Sequence, residues 1–158
     1  MKIDWKKLLI CLGIPLTVGA LAGLISGGGM MDYKTLNQPP LAPPGWLFPV
    51  VWTVLYLLMG YASYRVLISG ADSEQIRKAL ILYGVQLFFN FLWPLVFFGL
   101  EWRLVAFFIL VVLWVLIFLT MRAFSQIDER AGDLLLPYIL WVTFAGYLNL
   151  GVYFLNRG

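Results

Sequence analysis

The chain has 158 residues, of which 62% are hydrophobic and only 12% are charged, with a net charge of +3. About a quarter of the residues in a soluble domain are charged, so this composition excludes an ordinary water-soluble domain. The positive charge is small, and no basic cluster with interleaved aromatic residues lies outside the apolar runs, so a nucleic-acid partner is excluded as well. The composition predicts an integral membrane protein whose principal partner is the lipid bilayer.

Five uncharged runs predict the membrane-spanning segments, at residues 8–31, 35–64, 79–100, 104–121 and 134–156. A spanning helix needs roughly 20 mostly apolar residues, and its backbone groups must be paired within the segment. The predicted fold is therefore an all-α bundle of five transmembrane helices, forming a single domain over residues 1–158. The predicted helices are at about 5–26, 48–69, 74–98, 103–125 and 133–156.

Glycine and proline positions refine this outline. In the first helix, Gly19 and Gly23 form a pair of small residues that permits close approach of another helix. Residues 30–46 form the longest predicted loop, and four prolines between Pro39 and Pro44 favour a stiff, extended path. This loop either lies over the mouth of the bundle or is a rigid connector. Asp72 or Ser73 is the predicted N-cap of the third helix.

The cations are divided unequally between the two sides of the predicted bundle. Eight belong to the N-terminus and to the loops after the second and fourth helices: Lys2, Lys6, Lys7, Arg65, Arg77, Lys78, Arg122 and Arg130. Three belong to the other side: Lys34, Arg103 and Arg157. Because cytoplasmic loops carry an excess of lysine and arginine, this bias predicts a cytoplasmic N-terminus in a bacterial cell membrane.

Aromatic and polar residues recur at helical spacing on three of the predicted helices. The second helix carries Trp52, Tyr56, Met59 and Ser63, the third carries Gln86, Asn90, Trp93 and Phe97, and the fifth carries Tyr138, Trp141, Ala145 and Asn149. Steps of three and four residues place each set on one face. Three such faces turned inward would line an apolar cavity with a few hydrogen-bonding groups, which is typical of a small-molecule site. Alternatively, the amides bond across helices and the aromatic residues lie at the membrane interface.

Several kinds of chemistry have no support in the sequence. The chain has no histidine, which is the commonest metal ligand and general base. All its carboxylates lie at the predicted edges of the membrane, and it has no phosphate-binding loop and no CxxC pair. The sequence therefore predicts no metal site, no resident cofactor and no hydrolytic machinery.

Three blocks of sequence carry a resemblance to a known family. The first is Pro43-Pro44-Gly45-Trp46 with Pro49 and Trp52-Thr53-x-Leu55-Tyr56; the second is Gln86-Leu87-x-x-Asn90-x-x-Trp93-Pro94-x-x-Phe97-Phe98-Gly99; the third is Pro137-Tyr138-x-x-Trp141-x-x-Phe144-Ala145-x-x-Leu148-Asn149. In residue spacing and in block order, the chain resembles the bacterial type of the TspO/MBR family, which includes the translocator proteins, also called peripheral-type benzodiazepine receptors.

The resemblance implies a homodimer that binds porphyrins such as protoporphyrin IX, together with isoquinoline carboxamide and benzodiazepine-type drugs. By position, it implies a pocket that includes Tyr33, Trp52, Asn90, Trp141 and Ala145. Five further residues of the stripes complete the predicted ligand-binding set: Tyr56, Gln86, Trp93, Tyr138 and Asn149. A metal-free porphyrin needs no axial ligand, which suits a chain without histidine. The leading hypothesis is a membrane binding protein or sensor for tetrapyrroles.

Two alternatives remain open from the sequence. The first is light-dependent degradation of bound porphyrin, with Trp52 and Trp141 as the electron-rich partners. The second is transport of porphyrin or sterol across the membrane. Animal members of the family bind cholesterol through a motif at the end of the last helix. Here the loose sterol pattern falls in a shifted register, at Leu150, Tyr153 and Arg157.

Overall fold

The structure, a computed structural model, describes residues 2–26 and 35–156, and within these ranges it contains helices and no strand. The helices are α1 (Trp5–Ser26), α2 (Leu47–Leu67), α3 (Ser73–Pro94), α4 (Arg103–Ile127), α5 (Glu129–Asp133) and α6 (Leu136–Asn156), with a π-helical turn at Leu95–Gly99 after α3. Five segments are long and apolar enough to cross a membrane: α1, α2, α3 with its π-helical turn, α4, and α5 with α6. The predicted five-helix transmembrane bundle is confirmed.

The third predicted helix, at 74–98, is not regular throughout. The α-helix ends at Pro94, which has no backbone N–H to donate. The chain then continues as the π-helical turn, in which the Leu100 N–H donates to the Leu95 carbonyl at 2.9 Å, five residues back. At the other end, Asp72 is the N-cap, because its carboxylate accepts from the Gln75 N–H at 3.3 Å.

The last two predicted helices also differ in their ends. The sequence predicts that the fourth helix ends near residue 125 and that the fifth begins near residue 133, but α4 continues to Ile127 and the short α5 follows. Asp128 marks the junction in an extended conformation, and its carboxylate accepts from the Arg130 N–H at 3.0 Å. Pro137 lies in the first turn of α6, where its missing N–H is tolerated.

Helix α1 lies at the edge of the bundle. Only 17% of its most apolar stretch is buried inside the bundle, whereas the corresponding share of α2 is 44%. It packs against α2 at Gly60, where an added Cβ would lie 2.7 Å from the Cys11 carbonyl oxygen and 2.9 Å from the Leu12 Cα. A glycine at this point lets the two backbones touch, as small residues do at helix crossings in membranes. The remaining core lies between α3, α4 and α6, which pack α3 on α4 and α4 on α6.

The described part of the proline-rich loop is attached to the C-terminal end of α6. The Asn37 N–H donates to the Asn156 side-chain oxygen at 3.1 Å, and the Asn156 amide donates back to the Asn37 carbonyl at 2.8 Å. The Tyr147 hydroxyl donates to the Pro40 carbonyl at 2.7 Å. These bonds fix the path of the loop before it enters α2, and they place Gly45 and Trp46 at the edge of a cavity.

Candidate ligand-binding cavity

A cavity of about 460 Å³ lies between α1, α2 and α3. It is at the end of the bundle where the C-terminal half of α1, the N-terminal half of α2 and the last turns of α3 come together. Its lining residues are Gly19, Ala22, Gly23, Ser26, Gly45, Trp46, Phe48, Pro49, Trp52, Tyr56, Asn90, Trp93, Pro94 and Phe98.

Small residues of α1 create the space. An added Cβ on Gly23 would meet nothing within 4 Å, so this position opens directly into the cavity. An added Cβ on Gly19, one turn earlier, would overlap the ring of Tyr56. Helix α1 therefore contacts α2 at Gly19, whereas open space lies beside Gly23, and this space is part of the cavity.

Aromatic rings form the opposite walls. The Trp52 ring lies 5.7 Å from that of Tyr56 at an interplanar angle of 31°, measured between ring centroids. On α3, the Trp93 ring meets Phe98 edge-on at 5.9 Å and stacks on Phe97 at 5.1 Å. Offset and edge-on contacts at these distances are favourable, so the walls are both flat and well supported.

A chain of hydrogen bonds links α2, α3 and α6 and begins at two residues of the cavity lining, Tyr56 and Asn90. The Tyr56 hydroxyl donates to the Asn90 side-chain oxygen at 2.8 Å, and the Asn90 amide donates to the Tyr138 hydroxyl at 2.7 Å. The Tyr138 hydroxyl in turn donates to the Gln86 side-chain oxygen at 2.7 Å. All four residues are buried. The amides of α3 therefore bond to phenols of α2 and α6, as the alternative interpretation of the stripes requires.

Asn149 ties α6 to the end of α3. Its side-chain oxygen accepts from the Trp93 indole N–H at 2.9 Å, and its amide donates to the Arg103 carbonyl at 2.7 Å. The bond fixes the orientation of the Trp93 indole, whose ring lines the cavity. Asn149 itself is fully buried and reaches the cavity only through Trp93.

The predicted site residues thus fall into two groups, and their role as ligand contacts stays a prediction. Those that line the cavity are Trp52, Tyr56, Asn90 and Trp93. Those that do not line it are Gln86, Tyr138, Trp141, Ala145 and Asn149. Trp141 packs edge-on against the Phe48 ring at 5.8 Å, one ring behind the wall. Tyr33 lies outside the described residues.

Sequence reasoning overlooked the contribution of α1. The aromatic and amide stripes do not point to this wall, because its residues are distinguished by their small size. The Gly19 and Gly23 pair is its signal in the sequence, although such a pair by itself indicates only close helix approach. Ser26 is the polar group of this wall, and its buried hydroxyl has no hydrogen-bond partner among the described residues.

The described walls of the cavity are mainly apolar and aromatic. Among the residues that the structure describes, the lining contains no carboxylate, lysine or arginine, and no three potential metal ligands cluster anywhere in these ranges. The walls offer apolar burial, ring faces and a few hydrogen-bonding groups. Such a site suits a flat, largely apolar molecule.

Comparison with known proteins agrees with the sequence blocks and the fold. The sequence model of the TspO/MBR family matches residues 11–155. The tryptophan-rich sensory protein of Cereibacter sphaeroides is 41% identical over 99% of this chain and 95% of the relative. The tryptophan-rich protein TspO of Chlorobaculum tepidum is 39% identical over 94% of this chain and 95% of the relative.

A similar relationship extends to animals. The translocator protein of Ovis aries is 36% identical over 85% of this chain and 80% of the relative. Because the family match and these alignments cover nearly all of the five-helix bundle, the chain belongs to the TspO/MBR family.

Proposed function

We propose that this protein is a membrane sensor that binds tetrapyrroles such as protoporphyrin IX in the cavity between α1, α2 and α3. The observation that carries the proposal is the cavity itself, with a volume of about 460 Å³ and walls formed by tryptophan, phenylalanine and tyrosine rings. This volume falls within the range of about 300–1,000 Å³ found for small-molecule sites. The sensory role is supported by the name of the Cereibacter relative, a tryptophan-rich sensory protein.

A metal-free porphyrin matches the chemistry of these walls. Its macrocycle is flat and apolar, and stacking on a ring such as Trp52 contributes about 0.5–1.5 kcal/mol beyond area burial. It needs no axial ligand, and the chain has no histidine to supply one. The same aromatic walls suit drugs of the isoquinoline carboxamide and benzodiazepine types, which we propose as competing ligands.

Filling the cavity tests the assignment. In purified full-length protein in detergent, protoporphyrin IX should quench tryptophan fluorescence saturably, because Trp46, Trp52 and Trp93 lie in the walls. Gly23→Phe places a ring in open space inside the cavity, and we expect it to weaken binding at least tenfold. Gly84→Phe is the matched control, because Gly84 is exposed, has nothing within 4 Å of an added Cβ and is absent from the lining.

These two variants, together with Ala145→Phe, distinguish the possible positions of the ligand from a general effect of the added ring. An unchanged titration curve for Gly23→Phe would show that the porphyrin does not use this cavity. Weaker binding by Ala145→Phe alone would place the ligand nearer to α6, on the residues that the family resemblance implies. Equal weakening by Gly84→Phe would indicate a general effect of the added ring, so circular dichroism of each variant accompanies the titrations.

Light-dependent degradation of bound porphyrin is a second candidate function. The observation that favours it is the presence of three tryptophans in the cavity lining, with Trp141 one ring behind it. Illumination of the complex in the presence of oxygen should then produce a new absorbing species. The product spectrum and rate should change in the Trp52→Phe, Trp141→Phe double variant and not in Trp114→Phe, whose exposed side chain does not line this cavity. Identical products from all three proteins would exclude the tryptophan role.

We further propose that the protein resides in a bacterial cell membrane as a homodimer with its N-terminus in the cytoplasm. The charge bias of eight cations against three supports this orientation. Alkaline phosphatase fused to the C-terminus should then be active, and the same enzyme fused to the N-terminus should be inactive. Light scattering of the detergent-solubilised protein should give twice the 18.0 kDa chain mass, and a single chain mass would contradict the dimer.

A further inference from the structure

A second cleft lies at the opposite end of the bundle from the ligand cavity. Its volume is about 590 Å³, and it is formed by the start of the chain, the C-terminal end of α2 and the junction between α4 and α5. Its lining residues are Lys2, Ile3, Tyr61, Tyr64, Arg65, Ile68, Ser69, Ile127, Asp128 and Arg130. None of these residues lines the first cavity, so the two sites are separate.

The cleft carries more positive than negative charge. It contains three cations and one carboxylate, and Asp128 is already engaged by Arg65, whose Nε and Nη2 lie 2.9 and 3.4 Å from the two carboxylate oxygens. Lys2 and Arg130 make no ion pair within the described ranges. The nearby Asp4 carboxylate faces Lys7 at 3.8 Å instead. Two positive charges in the cleft are therefore left without an ion-pair partner among the described residues.

Two phenols add hydrogen-bond donors. The Tyr61 hydroxyl accepts from Arg65 Nη1 at 3.3 Å, and the Tyr64 hydroxyl accepts from the Asp4 N–H at 2.9 Å. A phenol that accepts one hydrogen bond keeps its own hydrogen for donation. Neither hydroxyl donates to a residue in the described part of the chain, so both are free to donate to an anion. The cleft thus combines positive charge with oriented neutral donors.

The surroundings place this cleft at the surface of the bilayer. Ile3 and Trp5, on the same segment as Lys2, are 50% and 63% exposed. Tryptophan is enriched where the acyl chains meet the headgroups. A molecule with a polar head in the cleft therefore has an apolar surface beside it for its tails.

We propose that this cleft binds the phosphate group of an anionic phospholipid such as phosphatidylglycerol. Basic pockets between transmembrane helices recognise headgroups of this kind, and charge-assisted hydrogen bonds to phosphate oxygens are among the strongest in proteins. Lys2 and Arg130 supply the charge, and Tyr61 and Tyr64 supply the additional donors. Asp128 holds Arg65 in place at the back of the site. The inference is independent of porphyrin binding in the other cavity.

The test compares two lipids with identical acyl chains. Full-length protein in detergent is titrated with dioleoyl phosphatidylglycerol or dioleoyl phosphatidylcholine, and thermal unfolding reports binding. Each cation near an anionic headgroup contributes a factor of about five in affinity, so the preference for phosphatidylglycerol should fall roughly 25-fold in the Lys2→Gln, Arg130→Gln double variant. Lys6→Gln with Lys78→Gln is the matched control, because it removes the same charge from exposed positions outside the cleft.

The outcomes are distinct. Loss of the preference in the cleft variant alone supports the site, whereas the same preference in all three proteins, or equal loss in the control, would overturn it. A third titration with sodium phosphate identifies the source of the phosphate group. Competition at millimolar concentration would mean that free phosphate also binds, and no competition would restrict the site to the lipid headgroup. Protoporphyrin titrations should be the same for all three proteins, because the porphyrin cavity is unaltered.

Discussion

The crossing of α1 and α2 gives the sharpest prediction about stability. In Gly60→Ala the new methyl group would lie 2.7 Å from the Cys11 carbonyl oxygen and 2.9 Å from the Leu12 Cα. Both contacted atoms belong to the backbone, so no side-chain rotation can relieve the overlap. Helix α1 must instead move away from α2 as a unit. Because α1 also forms one wall of the candidate cavity, the same movement changes the shape of the proposed binding site.

The size of the effect follows from these contacts. Overpacking a tight interface costs about 1–3 kcal/mol, and a radial gap of about 0.5–1 Å forfeits a quarter to a half of the dispersion energy across it. Alanine regains up to about 1 kcal/mol over glycine in helix propensity. We therefore expect Gly60→Ala to lower the free energy of unfolding by about 1–2 kcal/mol and to weaken porphyrin binding several-fold.

Reversible unfolding in mixed micelles of dodecyl maltoside and sodium dodecyl sulfate, followed by circular dichroism, measures the change. Gly84→Ala is the control, because its added methyl group meets nothing within 4 Å, and it should be as stable as the unaltered protein or slightly more so. If Gly60→Ala and Gly84→Ala unfold at the same detergent fraction, the tight crossing described above does not exist.

Two further substitutions, each with a control, test the contact of α1 with Tyr56 and the hydrogen-bond network by the same assay. Gly19→Ala should destabilise the protein by about 1–3 kcal/mol, because its methyl group overlaps the buried Tyr56 ring and displaces the Tyr56 hydroxyl from Asn90. Gly23→Ala, one turn away in open space, should leave stability unchanged. Equal effects of the two substitutions would contradict the geometry of the α1 wall. Tyr138→Phe removes a hydroxyl that two amides share, at about 0.6–1.7 kcal/mol for each interhelical bond. Tyr153→Phe, whose hydroxyl makes no hydrogen bond within the described ranges, should leave stability unchanged, and a loss as large as that of Tyr138→Phe would refute the network.

The membrane fold was predictable because it depends on a coarse property of the sequence. A run of about 20 uncharged residues has few stable alternatives to a spanning helix, and all five runs became spans. The details depended on single side chains. Asp72 caps α3 and is one of the two N-cap residues that the sequence predicts, but α4 continues to Ile127, and the next residue, Asp128, pairs with Arg65, 63 residues away. No local pattern contains that contact.

The site was harder to predict because polar side chains within a membrane form hydrogen bonds with one another. The stripes on α2, α3 and α6 do face inward. However, both polar atoms of the Asn90 side chain are hydrogen-bonded to Tyr56 and Tyr138, and those of Asn149 are hydrogen-bonded to Trp93 and to the Arg103 carbonyl. A helical stripe shows that a residue faces the interior, and it does not distinguish a ligand contact from a structural one. The hollow appears where side chains are missing, at Gly23 on α1. Residue size on the neighbouring helix therefore locates the cavity, and the hydrogen-bonded stripes hold its aromatic walls in place.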